Sequence, residues 1–370
     1  MAIRLQLRKD SVAVWDSANP TLRAGEIGYA WDSSDSASFG RIKVGDGAST
    51  WTQLAYFYSS GDSAGLYSSG GGSSLWYGDR GIIGGGYPVS NVIHYYDITT
   101  TGDTTDFGDL TQARQRLGAC ADATYGLFMG GSPTAQGDVI DYVTISTTAN
   151  ATDFGDITGG YLYWVNCLSN GTYGVVGSGS DTNGTYSNRI EYVTIATPGN
   201  TTDFGDLTGS RHSVATSSDA TYGLFAGGRT SGSDHINTID YITTATPGNA
   251  TDFGDLTKAR RDFGGCGDAT RSVFCAGHSG TDTYDTTMDY VATATPGNAT
   301  DFGDVDAGMY TNDATNNATR GMIGGGIPNS GNINKLSYFT IQSAGNAADF
   351  GDLTGITTLY SMAMTSGNAS

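Results

Sequence analysis

A chain of 370 residues with 56 glycines, 18 Lys and Arg against 37 Asp and Glu, and a net charge of −19 is acidic and rich in turns. An acidic body repels phosphate backbones, which excludes nucleic acid as an expected partner, and no apolar run approaches the ~18 residues of a membrane span, so no membrane insertion is expected. Thr, Tyr, Val, Ile and Phe fill the ordered stretches, with Gly, Asn, Asp, Ser and Pro between them, and this predicts an all-β fold.

The charge is unevenly placed: residues 1–57 hold six basic and six acidic residues, and the remainder holds 12 against 31. Most of these carboxylates read as solubilising turn residues. The chain starts MAIRLQLRKDSVAVW, alternating charged and apolar residues without a signal-peptide pattern. Arg4 and Arg8 flank a first strand. Trp15, the turn Asn19-Pro20, the run Leu22-Arg23-Ala24-Gly25-Glu26-Ile27-Gly28-Tyr29, the run Lys43-Val44-Gly45-Asp46-Gly47 and Trp51 follow. Two tryptophans are too large for so short a segment unless they form its core, and a domain of this length is marginal alone, which favours packing against copies or partners. This order of a basic strand, a Trp, a Leu-x-x-Gly-Glu-x-Gly-Tyr turn, a Lys-x-Gly-Asp-Gly turn and a closing Trp resembles the small N-terminal domain of many bacteriophage tail fibres, including the major tropism determinant type. The resemblance implies attachment to a virion, in the tail or another exterior appendage. It also implies tail or baseplate proteins as partners of residues 1–57, and a homotrimer. Residues 58–78 are Gly/Ser-rich and predict a flexible linker.

From residue 79 to 370 a repeat takes over. Asp-Phe-Gly-Asp starts at Asp106, Asp153, Asp203, Asp252, Asp301 and Asp349, at intervals of 47, 50, 49, 49 and 48 residues. A steady period near 50 means one supersecondary unit copied in tandem. Each unit predicts four strands, A to D: a short small-residue strand, a strand ending in glycines such as Gly223–Gly228, a strand reading apolar-acid-Tyr such as Ile239-Asp240-Tyr241, and the strand carrying Asp-Phe-Gly-Asp. Four strands per repeat make one β-propeller blade. The glycine-ended second strand and the aromatics on the last two resemble the kelch repeat, although kelch carries Trp on its last strand where every copy here has Phe. The first repeat lacks strand A, and the chain ends in an orphan one, read as Thr357–Ala363. The expected closure is therefore six blades with the C-terminal strand completing the first, which removes two open edges.

Six near-identical copies of Asp-Phe-Gly-Asp argue against a catalytic motif. Phe107, Phe154, Phe204, Phe253, Phe302 and Phe350 should fill the gaps between blades, with Asp and Gly making the turn; calcium held by the paired Asp oxygens stays open as an alternative. Asn150, Asn200, Asn249 and Asn298 match the glycosylation pattern but fall in one repeated turn, which suffices to explain them. Cys120, Cys167 and Cys266 each lie 14 residues after the first Asp of their repeat, where other copies have Ser217, Thr315 and Ala363. The site reads as a small-residue packing position filled by free thiols; a Cys266–Cys275 disulfide stays open. The spacings do not resemble a zinc site, and neither metal nor cofactor is expected.

Function should lie where the copies differ. Antiparallel strands put the B–C and D–A loops on one end and the A–B and C–D turns on the other. The second end is monotonous, whereas the first varies in length and chemistry. The varying loops carry Trp164, Tyr186, Arg189, Arg211, His212, Arg229, His235, His278, Tyr284 and Tyr310, aromatics and forked donors that suit sugar recognition. The expected function is a virion tail fibre or baseplate-associated protein whose propeller recognises a host surface receptor, a glycan or a protein. A purely structural virion protein is one alternative. A glycoside-degrading propeller is another, disfavoured because no unrepeated carboxylate pair stands out; no enzyme is expected.

Overall fold

The structure is a computed structural model. It describes residues 8–11, 17–23, 27–31, 41–44, 48, 50 and 56–58, then 78–368 except 133–136, 161–162, 182, 281–283, 318, 329–333 and 355–361. The chain divides into two compact units, Met1–Ser74 and Leu75–Ser370, against expected boundaries at 57 and 78. The first unit holds a four-stranded sheet in the order Arg8–Ser11, Ile27–Trp31, Arg41–Val44, Tyr56–Tyr58. Its first two strands pair parallel and the others antiparallel. Arg4, Trp15, Trp51, the turn 45–47 and most of the expected linker lie outside the described residues.

The second unit is a six-bladed β-propeller of four-stranded antiparallel sheets. Blade 2 shows the plan, with A at Gly118–Ala121, B at Tyr125–Met129, C at Val139–Thr144 and D at Thr152–Asp156. The B strands are buried almost without alternation, as in Tyr222–Ala226, because each face of a blade meets a neighbouring blade. The A strands of blades 1 to 6 are Ala363–Gly367, Gly118–Ala121, Asn166–Ser169, Ala215–Ser218, Gly264–Gly267 and Met309–Asn316, and they crowd together around the axis. A Cβ on Gly118 would sit 2.6 Å from the Cys167 sulfur, and Gly, Ala, Cys, Ser and Thr make up most of this innermost layer.

The closing strand begins at Ala363, later than expected from sequence, and runs antiparallel to Arg80–Gly84 with Thr365 opposite Ile82. Residues 357–361 of the expected strand lie outside the described residues. The cysteine alignment also needs correcting. Cys120 faces Leu127, Ser217 faces Leu224 and Cys266 faces Val273, but in blade 3 the residue facing Val175 is Leu168, not Cys167. In blade 1 the equivalent is Thr365, not Ala363. The connections from D to A differ in length, so a fixed count of 14 slips. The position is not reserved for small residues either, since Leu168 reaches into the gap between blades 3 and 4. All four cysteines are buried and free. Burial pushes the Cys167, Cys266 and Cys275 thiols well above their ordinary range, which leaves them unreactive.

Six hydrophobic clusters fill the six gaps between blades, and each contains one Phe of the repeated motif at 2–3 % exposure. Phe253, for example, packs with Leu224 and Ile239 of its own blade and with Phe263, Phe274 and Val291 of the next. The Tyr of the apolar-acid-Tyr strand meets that Phe edge-on in every blade, as Tyr241 does at 5.7 Å. The Gly of the motif lies against the following turn: at Gly254 (φ +146°) a Cβ would stand 2.5 Å from the Gly297 backbone. The turn asparagines reach back across the same seam. Asn150, Asn200, Asn249, Asn298 and Asn346 each accept the N–H of the last Asp of the preceding motif, at 3.0–3.1 Å, and Asp103 does so for Asp352 where the ring closes. The motif is thus a blade-to-blade fastener. Phe253→Ala is expected to cost about 3–5 kcal/mol as a buried aromatic deletion, read as a lower denaturant midpoint.

Candidate binding face

The varying loops are stitched to one another at a single end. In blades 2 to 4 the D–A connection bridges to the B–C loop through Gln115 and Ser132, Tyr163 and Ser180, and His212 and Arg229. In blade 5 the pair Arg260–Arg261 meets His278–Ser279. Trp164, Tyr186, His212, Arg229, His235, His278, Tyr284 and Tyr310 all belong to this end.

Arg211 does not lie on the face. It is 2 % exposed and pairs inside its blade with Asp240 at 2.9 Å; Arg114 with Asp141 and Arg260 with Asp289 repeat the arrangement at 2.7 Å. Each guanidinium also binds strand carbonyls, as Arg260 does at Ala276 and Phe274, so the pair is a desolvated internal strut. The acid is the one in the apolar-acid-Tyr strand, held further by Thr111, Thr208 or Thr257. Arg189 differs from these struts: its side chain stays 36 % exposed, with its guanidinium 3.6 Å from the buried Glu191.

Around the axis at this end lies a collar. Arg116, Trp164, Ser213 and Asp262 occupy equivalent places just before the A strands of blades 2 to 5, and all four adopt the left-handed conformation with φ of 55–61°. Non-glycine residues adopt it only where surroundings enforce it. Here the cause is a chain of backbone hydrogen bonds from blade to blade: the Trp164 N–H donates to the Arg116 carbonyl at 3.0 Å, Ser213 to Trp164 at 3.2 Å, and Asp262 to Ser213 at 3.1 Å. The backbone is fixed, and the side chains it carries are unrelated. They frame a pocket at the channel mouth whose floor includes Leu117, Val165, Val214, Phe263, Asn312 and Met362. The Asn312 and Asp262 Oδ1 atoms are buried there without a hydrogen-bond partner among the described residues. Asp313 also lines the pocket, and burial pushes its carboxyl up to about 7. Its two oxygens accept the Ala314 and Met364 amides, which ties the closing strand to blade 6.

Outward from the collar the aromatic side chains form an arc across blades 3 to 6. The Arg116 guanidinium stacks 4.2 Å over Trp164. Trp164 lies against His212 at 6.1 Å, and Tyr186 meets His212 edge-on at 4.5 Å. Arg229 follows, paired with Asp234 at 2.8 Å. Then come His235 and His278, with nitrogens 2.7 Å apart, followed by Tyr310 and Tyr284, each ring within 6 Å of the preceding one. Burial, with Arg229, Arg261 and Arg116 nearby, pulls His212 down to about 4, so it is a neutral ring at neutral pH. Sequence reasoning passed over Arg116, Ser213, Asp262 and Asp234. Their one visible signal was that they stand at variable positions beside otherwise repeated residues. No protein-family model matches this chain, and no curated protein matches it either.

Proposed function

We propose that the chain is a bacteriophage virion protein, a tail fibre or baseplate-associated component, whose propeller recognises a neutral or mixed-charge glycan on the host surface. One observation carries the binding half of this reading: the side chains that escape the repeat gather on one end, as the collar and the aromatic arc. Rings stack on apolar sugar faces and guanidiniums donate in pairs to hydroxyls. The strands beneath are nearly identical and hold the loops at fixed places. The path of the chain supports the same polarity. Asp79, at the entry to the propeller, accepts a hydrogen bond from Asn317 in an A–B turn, so the chain enters the propeller at the monotonous end. The virion assignment rests on the tail-fibre resemblance of residues 1–57, which would join tail or baseplate partners and form a homotrimer. Three linked propellers would raise avidity by ~10²–10⁴ without new contacts.

Trp164→Ala combined with Tyr284→Ala in the full chain is expected to abolish binding to a glycan array and to host cells, while the protein still melts cooperatively. Thr221→Ala, on an exposed A–B turn at the other end, should leave binding intact. Equal behaviour of the two ends, or no binding by the wild type, would leave the purely structural virion role.

A further inference from the structure

The sequence shows no metal-binding spacing, yet the fold brings three ligating side chains together from two loops of neighbouring blades. Asp234 and His235 stand in the B–C loop of blade 4, and His278 opens the corresponding loop of blade 5, 43 residues away. One ligand atom from each lies within 4.8 Å of the other two. The closest pair is His235 Nε2 and His278 Nδ1 at 2.7 Å, and Asp234 Oδ2 is 3.8 Å from His235 Nε2. Nitrogen and oxygen ligands at ~2.0–2.2 Å from a tetrahedral zinc stand roughly 3.3 Å apart, so the observed separations bracket those of a bound ion. Small swings of a half-exposed carboxylate and two half-buried rings would meet that geometry.

We propose that Asp234, His235 and His278 form a binding site for a divalent late first-row transition ion, with zinc as its natural probe. Two imidazoles and one carboxylate are a borderline-soft set that suits zinc. Calcium prefers oxygen ligands and is excluded as the occupant. The surroundings orient the three groups. Arg229 Nε holds Asp234 Oδ1 at 2.8 Å, which turns Oδ2 towards the rings, and such outer contacts set ligand direction in metal sites. Arg261, 3.7 Å from Asp234 Oδ2, is drawn off by a closer contact to Asp262. Three protein ligands leave a fourth position for water or a ligand group, on a face bordered by Tyr310. In the metal-free form the two rings share one N–H···N hydrogen bond, which the ion would replace with a link between the two loops.

The test is a zinc titration of the full chain, prepared without a histidine tag, followed by calorimetry and by the melting temperature. One zinc per chain is expected, with a melting temperature that rises with zinc concentration. His235→Ala and His278→Ala should each weaken binding by more than the ~10–100-fold that loss of an outer contact costs. Thr221→Ala should change nothing, and calcium should give no heat. A wild-type protein that retains no zinc would overturn the site, as would zinc affinity unchanged in the double variant His235→Ala/His278→Ala. Because the titration needs no glycan, it is independent of the proposed receptor role.

Discussion

Deletion of residues 363–370 is expected to destroy the closed ring. The strand Ala363–Gly367 is the innermost strand of blade 1 and is fully buried. It pairs over its whole length with Arg80–Gly84. Met364 also packs in the seam between blades 1 and 6, and its N–H is held by Asp313 at 2.8 Å. Without the strand, blade 1 is left with an open edge and the channel with a missing wall. The loss should approach the whole ~5–15 kcal/mol by which a domain is stable. Size-exclusion chromatography should show aggregate, and the cooperative thermal transition should disappear. An unchanged melting temperature would mean that closure does not depend on this strand.

The second large effect concerns the internal struts, and the protein contains its own control. Asp289→Ser is expected to cost about 3–5 kcal/mol, because Arg260 would keep an uncompensated charge in a fully buried place. Among the described residues blade 6 carries no such buried Arg–Asp pair; its Asp306 is partnered instead by the partly exposed Lys335. Where blade 5 has Thr257, Arg260 and Asp289, blade 6 has Asp306, Met309 and Ser337, and the hydrogen bond runs the other way, from the Ser337 hydroxyl to Asp306 at 2.7 Å. The triple change Thr257→Asp, Arg260→Met and Asp289→Ser should therefore recover most of the loss, since buried ion pairs can often be replaced at little net cost. Urea unfolding of the single and triple variants measures the coupling. A triple variant no more stable than Asp289→Ser would show that blade 5 depends on the strut itself.

These struts mark where sequence reasoning stopped. The period, the four strands per repeat, the six blades and the closing strand were legible, because copying writes the same burial demands six times. The phenylalanines were legible for the same reason. Arg211 was misread as a surface residue, although the pattern was present. Arg114, Arg211 and Arg260 each stand eight residues after the first Asp of the motif, in the repeats whose next C strand carries Asp141, Asp240 and Asp289. The other C strands have His94, Glu191 and Ser337 at that place. The face as a whole followed from strand alternation, but its details did not. The left-handed collar could not be read because Arg, Trp, Ser and Asp do not announce a positive φ as glycine does. The meeting of His235 with His278 depends on the angle between two blades and on the lengths of two unequal loops. Neither quantity is encoded in a local pattern.

The position of strand Arg80–Gly84 has a mechanical consequence. It is the first strand after the chain enters the propeller, and it has a hydrogen-bonded neighbour on each side, Ala363–Gly367 and Ser90–Asp97. A pull on residue 78 away from the monotonous end would load this strand along its own length. Both ladders would then be sheared at once, and their bonds would have to break together. A strand at the outer edge would instead unzip one bond at a time under a much smaller force. Tension transmitted through residue 78 would therefore meet the blade in its most resistant direction, while the loops at the far end kept their geometry.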